Sequence, residues 1–132
     1  MAVYLWIALG SALGGIARYW MSGLAETHFG DAFPWGTLTV NVLGSFLIGL
    51  IATLTSSDGR FFAGVEARQF LMIGVCGGYT TFSTFSIQTL ELLRNGELYR
   101  ASAYVVASVL LCVIAVWLGY AVSAGLNQLK GP

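Results

Sequence analysis

Hydrophobic and charged positions form alternating blocks along this chain. Four runs without a charged residue, at positions 1–17, 37–57, 69–90 and 101–129, are separated by short stretches that hold the charges. Each run is close to, or above, the roughly 20 helical residues that cross a hydrocarbon core about 30 Å thick. The pattern therefore predicts four transmembrane helices in one domain over residues 1–132, at about residues 3–24, 36–56, 69–94 and 98–127.

The composition supports an all-α membrane protein. Of the 132 residues, 57% are hydrophobic and 9% are charged, and the mean hydropathy is +0.78, well outside the range of soluble globular domains. The connecting segments, such as "RNGELYR" before the fourth helix, are too short for a water-soluble domain. We therefore expect the function to reside in the membrane-spanning part.

The N-terminal run, the two cysteines and the single histidine do not indicate a processing signal, a disulfide or a metal site. A cleavable signal peptide carries positive charge before its apolar stretch. The first apolar run here is preceded by no such charge, so we expect the first helix to remain in the protein. Cys76 and Cys112 each fall inside a predicted span, where a thiol behaves as a small apolar residue. We infer neither a disulfide nor a metal site from them, and a solvated loop residue is the favoured interpretation of His28.

The basic residues do not decide the orientation of the chain in the membrane. An excess of Lys and Arg normally marks the cytoplasmic side, but here three lie on each side: Arg60, Arg68 and Lys130 against Arg18, Arg94 and Arg100. The balance predicts insertion in both orientations and an antiparallel homodimer. The alternative is that unequal distances from the helix ends fix one orientation.

The first helix carries small residues and one charge. Gly10 and Gly14 have the small-xxx-small spacing, for which we favour a role in helix packing. Arg18 follows one turn later. A guanidinium this close to the membrane core must reach the interface or face a wet cavity, where it would attract an anion.

Polar side chains also mark one face of the second and fourth helices. Asn41 lies between Thr37 and Ser45, one turn away on either side, and is either an interhelical hydrogen-bonding residue or part of a pathway. Tyr104, Ser108 and Cys112 are likewise spaced by four. This track can serve packing, but its hydroxyl donors also suit anions.

The third run contains the segment "GVCGGYTTFSTFS". Its glycines and β-branched threonines disfavour a continuous helix, so we expect a break near residues 77–80, at the membrane midplane. Irregular backbone at that depth is tolerated where it lines a cavity or is buried in protein. Phe82 and Phe85 then share a helical face, either as ordinary lipid-facing or core residues or as ring edges that meet an anion.

Three motifs in order, "GGIARY", "GTLTVN" and "GGYTTFSTFS", closely resemble the CrcB/Fluc fluoride channels over essentially the whole chain. The resemblance implies an antiparallel, dual-topology homodimer in the plasma (inner) membrane of a bacterium, with two fluoride pores. It also implies a structural sodium ion at the dimer centre, and neither enzymatic activity nor a nucleic-acid partner. Membrane lipid surrounds such a dimer.

The resemblance also assigns roles to individual residues. Phe82 and Phe85 would be the pore phenylalanines, and the carbonyls of Gly77 and Thr80 would bind sodium. Arg18 would lie at the vestibule. The remaining members of the fluoride pathway would be Asn41, Ser83, Thr84, Tyr104 and Ser108.

The expected function is passive, selective export of fluoride, which lowers its cytoplasmic concentration. Two positions depart from the family: Gln88 stands where a carboxylate is common, and Cys112 where a serine is common. A dual-topology multidrug exporter is the alternative, but it would need a carboxylate within a span, and the four runs contain none. A non-transporting assembly subunit, in which Asn41 and the hydroxyls serve packing, is the third class.

Overall fold

The protein is described by a computed structural model of residues 1–129, in which the regular elements are all helical. In chain order they are α1 (Ala2–Phe29), α2 (Trp35–Leu54), α3 (Val65–Arg68), a π-helical segment (Gln69–Cys76), α4 (Gly77–Tyr79), α5 (Phe82–Arg94) and α6 (Leu98–Gln128). Lys130, which entered the comparison of basic residues, lies outside the described residues.

The elements from Val65 to Arg94 form one bent span, with α3, the π-helical segment and α4 as its first half and α5 as its second half. Together with α1, α2 and α6, it makes four helices that are long and apolar enough to cross a membrane within the described chain. The prediction of an all-helical protein with four such spans, the third of them interrupted, is confirmed.

Two spans are longer than the hydrophobic pattern predicts. α1 continues to Phe29 instead of ending near residue 24, and the bent span begins at Val65 instead of near residue 69. Both extensions include charged residues, which the uncharged runs exclude. Arg68 is accommodated because its Nη1 donates to the Ala52 carbonyl at 3.1 Å and to Thr55 Oγ1 at 2.7 Å.

Glycines allow α1 to pack closely on the first half of the bent span. A Cβ on Gly10 would lie 2.8 Å from the Gly74 Cα, and a Cβ on Gly74 would lie 2.9 Å from the Gly10 Cα. One turn further on, a Cβ on Gly14 would lie 2.8 Å from the Tyr79 nitrogen. The small-residue spacing of α1 therefore serves helix packing, as its pattern indicates.

α2 and α6 form the second close pair of helices. A Cβ on Gly119 would lie 2.8 Å from the Leu50 nitrogen. Ser123 is fully buried, and its hydroxyl donates to the Leu50 carbonyl at 2.7 Å. The two long helices thus approach at backbone distance, and a buried hydroxyl bonds across the contact.

The second half of the bent span reaches this pair through a small apolar core. Leu38, Leu92, Ala101 and Tyr104 are buried together, and Phe85 packs against them. Away from this core, large apolar side chains of all four spans face outward, as lipid or another protein surface would require.

Candidate ion pathway

The bend of the third span is formed by Thr80 and Thr81. Both have extended backbones, with φ −83° and ψ 158° at Thr80 and φ −151° and ψ 113° at Thr81. Gly77 and Gly78, where we expected the break to begin, are helical. Gly78 packs closely against α1, where a Cβ would lie 2.6 Å from the Ser11 carbonyl oxygen. The break therefore lies at residues 80 and 81, at the C-terminal end of the expected range 77–80 and one residue beyond it.

The bend frees backbone carbonyls from their helical donors, among them those of Gly77 and Thr80. In a continuous helix the Thr81 N–H would donate to the Gly77 carbonyl, and the Thr84 N–H to the Thr80 carbonyl. Here the Thr81 N–H donates to Asn41 Oδ1 at 2.8 Å, and the Thr84 N–H donates to Thr81 Oγ1 at 3.2 Å. The carbonyls of Gly77 and Thr80 thus lack the helical donors that would otherwise occupy them.

Asn41 joins the bend to α2. Besides accepting from the Thr81 N–H, its Nδ2 donates to the Thr81 carbonyl at 3.0 Å. The Asn41 amide thus supplies hydrogen-bond partners to the backbone of Thr81, which is extended and outside the helices. Of the two interpretations left open by the sequence, the interhelical hydrogen bond is present, and the second Nδ2 hydrogen remains for another acceptor.

The Thr81 side chain begins α5. Its Oγ1 accepts from the Thr84 N–H as an N-cap and donates to Thr84 Oγ1 at 2.9 Å. Ser83 Oγ lies 3.3 Å from the same oxygen. The hydroxyls of Ser83 and Thr84, both predicted for the pathway, are therefore grouped around Thr81 at the start of the helix.

Three aromatic rings follow the bend. The ring centroids of Phe82 and Phe85 are 5.2 Å apart at 49°, and those of Phe85 and Tyr104 are 5.1 Å apart at 54°. Phe85 is half-buried, whereas Phe82 is 78% exposed in the single chain. Of the two predicted phenylalanines, Phe85 is thus anchored in the core and Phe82 lies on the outer surface.

Tyr104 is fully buried, and its hydroxyl donates to Gln88 Oε1 at 2.9 Å. Gln88, which departs from the family pattern, is therefore the hydrogen-bond partner of Tyr104, a predicted pathway residue. This bond ties α5 to α6. An amide oxygen accepts here, at the position where the family resemblance leads us to expect a carboxylate.

A groove of about 380 Å³ runs beside the bend. It brings together six predicted residues: Asn41, Gly77, Thr80, Phe82, Phe85 and Ser108. The lining also includes Cys112, which completes the α6 track, but not Ser83, Thr84, Tyr104 or Arg18.

Ser108 is the unusual member of this lining. The residue is 7% exposed, and its Oγ has no hydrogen-bond partner among residues 1–129. A buried hydroxyl without a partner is costly, by about 1–3 kcal/mol. A ligand in the groove would satisfy it.

Arg18 reaches the bend from α1. Its Nη1 donates to the Thr80 carbonyl at 3.5 Å, and the side chain is half-buried. The resemblance assigns this arginine to a vestibule and the Thr80 carbonyl to sodium. In the single chain, the two groups are in contact with each other.

Sequence reasoning missed the central position of Thr81. Its N-cap role has a recognisable signal, a threonine directly before the first residue of a helix. Its pairing with Asn41 has no local signal, because the partners are 40 positions apart. Gly44 was also missed: it lines the groove, and a Cβ there would collide with the Thr80 side chain.

Comparison with known proteins gives a consistent result over the whole chain. The family model described as "CrcB-like protein, Camphor Resistance (CrcB)" matches residues 5–120. A protein of Opitutus terrae named "Fluoride-specific ion channel FluC" is 57% identical over 131 residues, which cover 99% of each chain. Proteins of the same name from Methylocella silvestris and Rhodospirillum rubrum are 56% and 54% identical, over 97% and 95% of this chain and 98% and 97% of their own lengths.

Proposed function

The chain belongs to the CrcB-like family, and from this we propose that it is a fluoride-selective ion channel that exports fluoride passively and lowers its cytoplasmic concentration. The near full-length similarity to proteins named fluoride-specific ion channels supports the choice of ion. The structural observation that carries the proposal is the buried, unpartnered hydroxyl of Ser108 in the groove beside the bend.

The groove offers the donors that a dehydrated fluoride ion needs. Fluoride is small and strongly hydrated, so a dry pathway must replace its water with close donors. Ser108 Oγ has a free hydrogen, Asn41 Nδ2 has one beyond its bond to Thr81, and the ring edges of Phe82 and Phe85 carry partial positive charge. Several weak sites in sequence let the ion enter and leave.

The remaining hydroxyls act by exchanging partners. Tyr104 donates to Gln88, and Ser83 and Thr84 are grouped around Thr81. Hydroxyl hydrogens rotate freely between acceptors, so a passing fluoride takes over such a bond and then returns it. We infer that these side chains form the ends of the pathway beyond the groove.

The functional unit that we propose is an antiparallel homodimer built from chains in both orientations. The equal number of basic residues on the two sides of the membrane supports insertion of the chain in both orientations. The exposed ring of Phe82, at the lining of an open groove, supports a second chain that closes the pathway. Two pathways then arise by symmetry.

A structural sodium ion at the centre of this dimer fits the bend. The carbonyls of Gly77 and Thr80 lack their helical donors, and hard oxygen ligands suit a hard cation. The cation would neutralise carbonyl dipoles that lipid cannot solvate, and its charge would favour anions nearby. Gly77 and Thr80 of each chain would hold it.

The proposed channel function also carries a proposal for the location and the class of this protein. We place the protein in the plasma (inner) membrane of a bacterium as a multi-pass channel, surrounded by lipid, with Arg18 near the vestibule. It is neither an enzyme nor a nucleic-acid-binding protein. The lining of the groove contains no carboxylate, which disfavours a proton-coupled exporter of cationic drugs.

Purified protein in liposomes tests the proposal. An outward gradient of fluoride should discharge rapidly, as followed with a fluoride electrode, whereas the same gradient of chloride should persist. Transport of a cationic drug against a proton gradient would identify an exporter. Vesicles that pass none of these solutes would identify an assembly subunit.

A further inference from the structure

The contact between Arg18 and the bend has a consequence for the proposed sodium site. We propose that the Arg18 guanidinium and the sodium ion compete for the Thr80 carbonyl, so that sodium binding releases Arg18 from the bend. This inference rests on the proposed function. It assigns to the arginine of α1 a role in controlling how tightly the dimer holds its cation.

The helix contact explains why Arg18 reaches this carbonyl. Gly14, one turn before Arg18, lies against the backbone at Tyr79, which fixes α1 next to the bend. Because Thr80 is extended, its carbonyl no longer belongs to the helical ladder. From that position the guanidinium comes within 3.5 Å of the oxygen.

The contact is weak enough to be exchanged. At 3.5 Å it is longer than the common range for N–H···O bonds. Among residues 1–129 the ion pair present is Arg100 with Glu97, so the charge of Arg18 is held by a carbonyl dipole and not by a carboxylate. A cation with several carbonyl ligands would bind the same oxygen more strongly.

Two positive charges at one carbonyl repel each other. The repulsion is large at separations of a few ångströms, where little water intervenes. Sodium binding must therefore displace the guanidinium or pay the cost of keeping it near. Linkage makes the effect reciprocal: removing the charge of Arg18 should strengthen sodium binding.

Sodium titration of purified variants tests the competition. The dimer is kept in detergent while Na⁺ replaces N-methylglucamine at constant ionic strength, and subunit exchange between differently labelled dimers reports how firmly the chains are held. Arg18→Gln should reduce the Na⁺ concentration that half-suppresses exchange by about tenfold or more, while Arg18→Lys stays near the unsubstituted protein. Arg94→Gln, an equal change of charge at an exposed helix end, is the matched control.

A second measurement uses the unsubstituted chain, in case Arg18 variants fail to assemble. An arginine-specific dicarbonyl reagent is applied with and without Na⁺, and modification of each arginine is followed by mass spectrometry. Labelling of Arg18 should rise with Na⁺ relative to labelling of Arg94. Equal or lower labelling of Arg18 in Na⁺ overturns the proposal.

The outcomes separate this inference from the channel function. If Arg18→Gln leaves the sodium dependence unchanged, or Arg94→Gln shifts it equally, the competition is wrong. If exchange in the unsubstituted protein ignores Na⁺, both the sodium site and the competition are wrong. Selective fluoride flux in liposomes is measured in parallel, and its absence would instead refute the channel.

Discussion

Replacement of Asn41 by alanine should loosen the bend of the third span. The substitution removes both hydrogen bonds between the amide and the Thr81 backbone, at 2.8 and 3.0 Å. Thr81 is 8% exposed, so water cannot readily replace the lost acceptor of its N–H. The carbonyl of Thr81 keeps a partner, because an N-cap carbonyl also accepts the first hydrogen bond of the following helix.

The size of the effect follows from these two losses. An unsatisfied buried N–H costs about 1–3 kcal/mol, and the lost bond to the carbonyl costs about 0.5–1.5 kcal/mol, for a total of about 1.5–4.5 kcal/mol. Since about 1.4 kcal/mol corresponds to a factor of ten, exchange of the Thr81 amide hydrogen with deuterium should accelerate by roughly tenfold or more. Mass spectrometry of peptides covering residues 77–86 measures this rate.

Asn127→Ala provides a matched control. The Asn127 amide also accepts from a backbone N–H, that of Arg60 at 2.8 Å, and donates to the Thr53 carbonyl at 3.4 Å. Arg60 is exposed, so water substitutes for the lost amide, and exchange at Thr81 should not change. An unaltered Thr81 rate in Asn41→Ala would refute the argument that this amide holds the bend.

Three further predictions concern flux and topology. Ser108→Ala should lower fluoride flux in liposomes by about tenfold, since it removes a buried donor worth about 1–2 kcal/mol to the ion; unchanged flux would exclude this hydroxyl from the pathway. Phe82→Ile and Phe85→Ile should each lower flux sharply while chemical crosslinking still detects the dimer, because isoleucine keeps bulk but lacks a ring edge, and near-normal flux in both would favour a packing role. Reporter fusions at the C-terminus should be active on both sides of the membrane, and activity on one side only would remove dual topology.

The spans could be predicted because their signal is local. Charges are excluded from long runs of the chain, and lipid enforces that exclusion residue by residue. The helix ends were predicted less well, since charged residues such as Arg68 are accommodated by partners on a neighbouring helix. Those partners are not visible from composition.

The bend shows where local propensity stops being informative. Glycine is a poor helix former, yet Gly77 and Gly78 are helical, and Gly78 lies where a Cβ would collide with the α1 backbone at Ser11. Thr81 leaves the helix because a distant amide and its own hydroxyl replace helical partners. Tertiary contacts thus decided which of the unfavourable residues broke the helix.

The proximity of the candidate residues could be predicted better than their hydrogen bonding, and their role in an ion pathway stays a prediction. Six of the predicted residues line one groove; helical spacing placed Asn41, Phe82, Phe85 and Ser108 on polar or aromatic faces, whereas the family resemblance assigned Gly77 and Thr80. The Tyr104–Gln88 bond and the Arg18–Thr80 contact join residues on different helices. Helical spacing within one element gives no information about such pairs.

The two halves of the bent span are attached to different neighbours. The first half packs on α1, with Gly10 against Gly74, whereas α5 packs on α6 through Phe85 and Tyr104. The extended residues Thr80 and Thr81 form the covalent connection between these two bodies. A substitution that widens the α1 contact would therefore shift the carbonyls of the bend and leave the phenylalanine pair in place, so the proposed cation site and the proposed ion pathway would be altered separately.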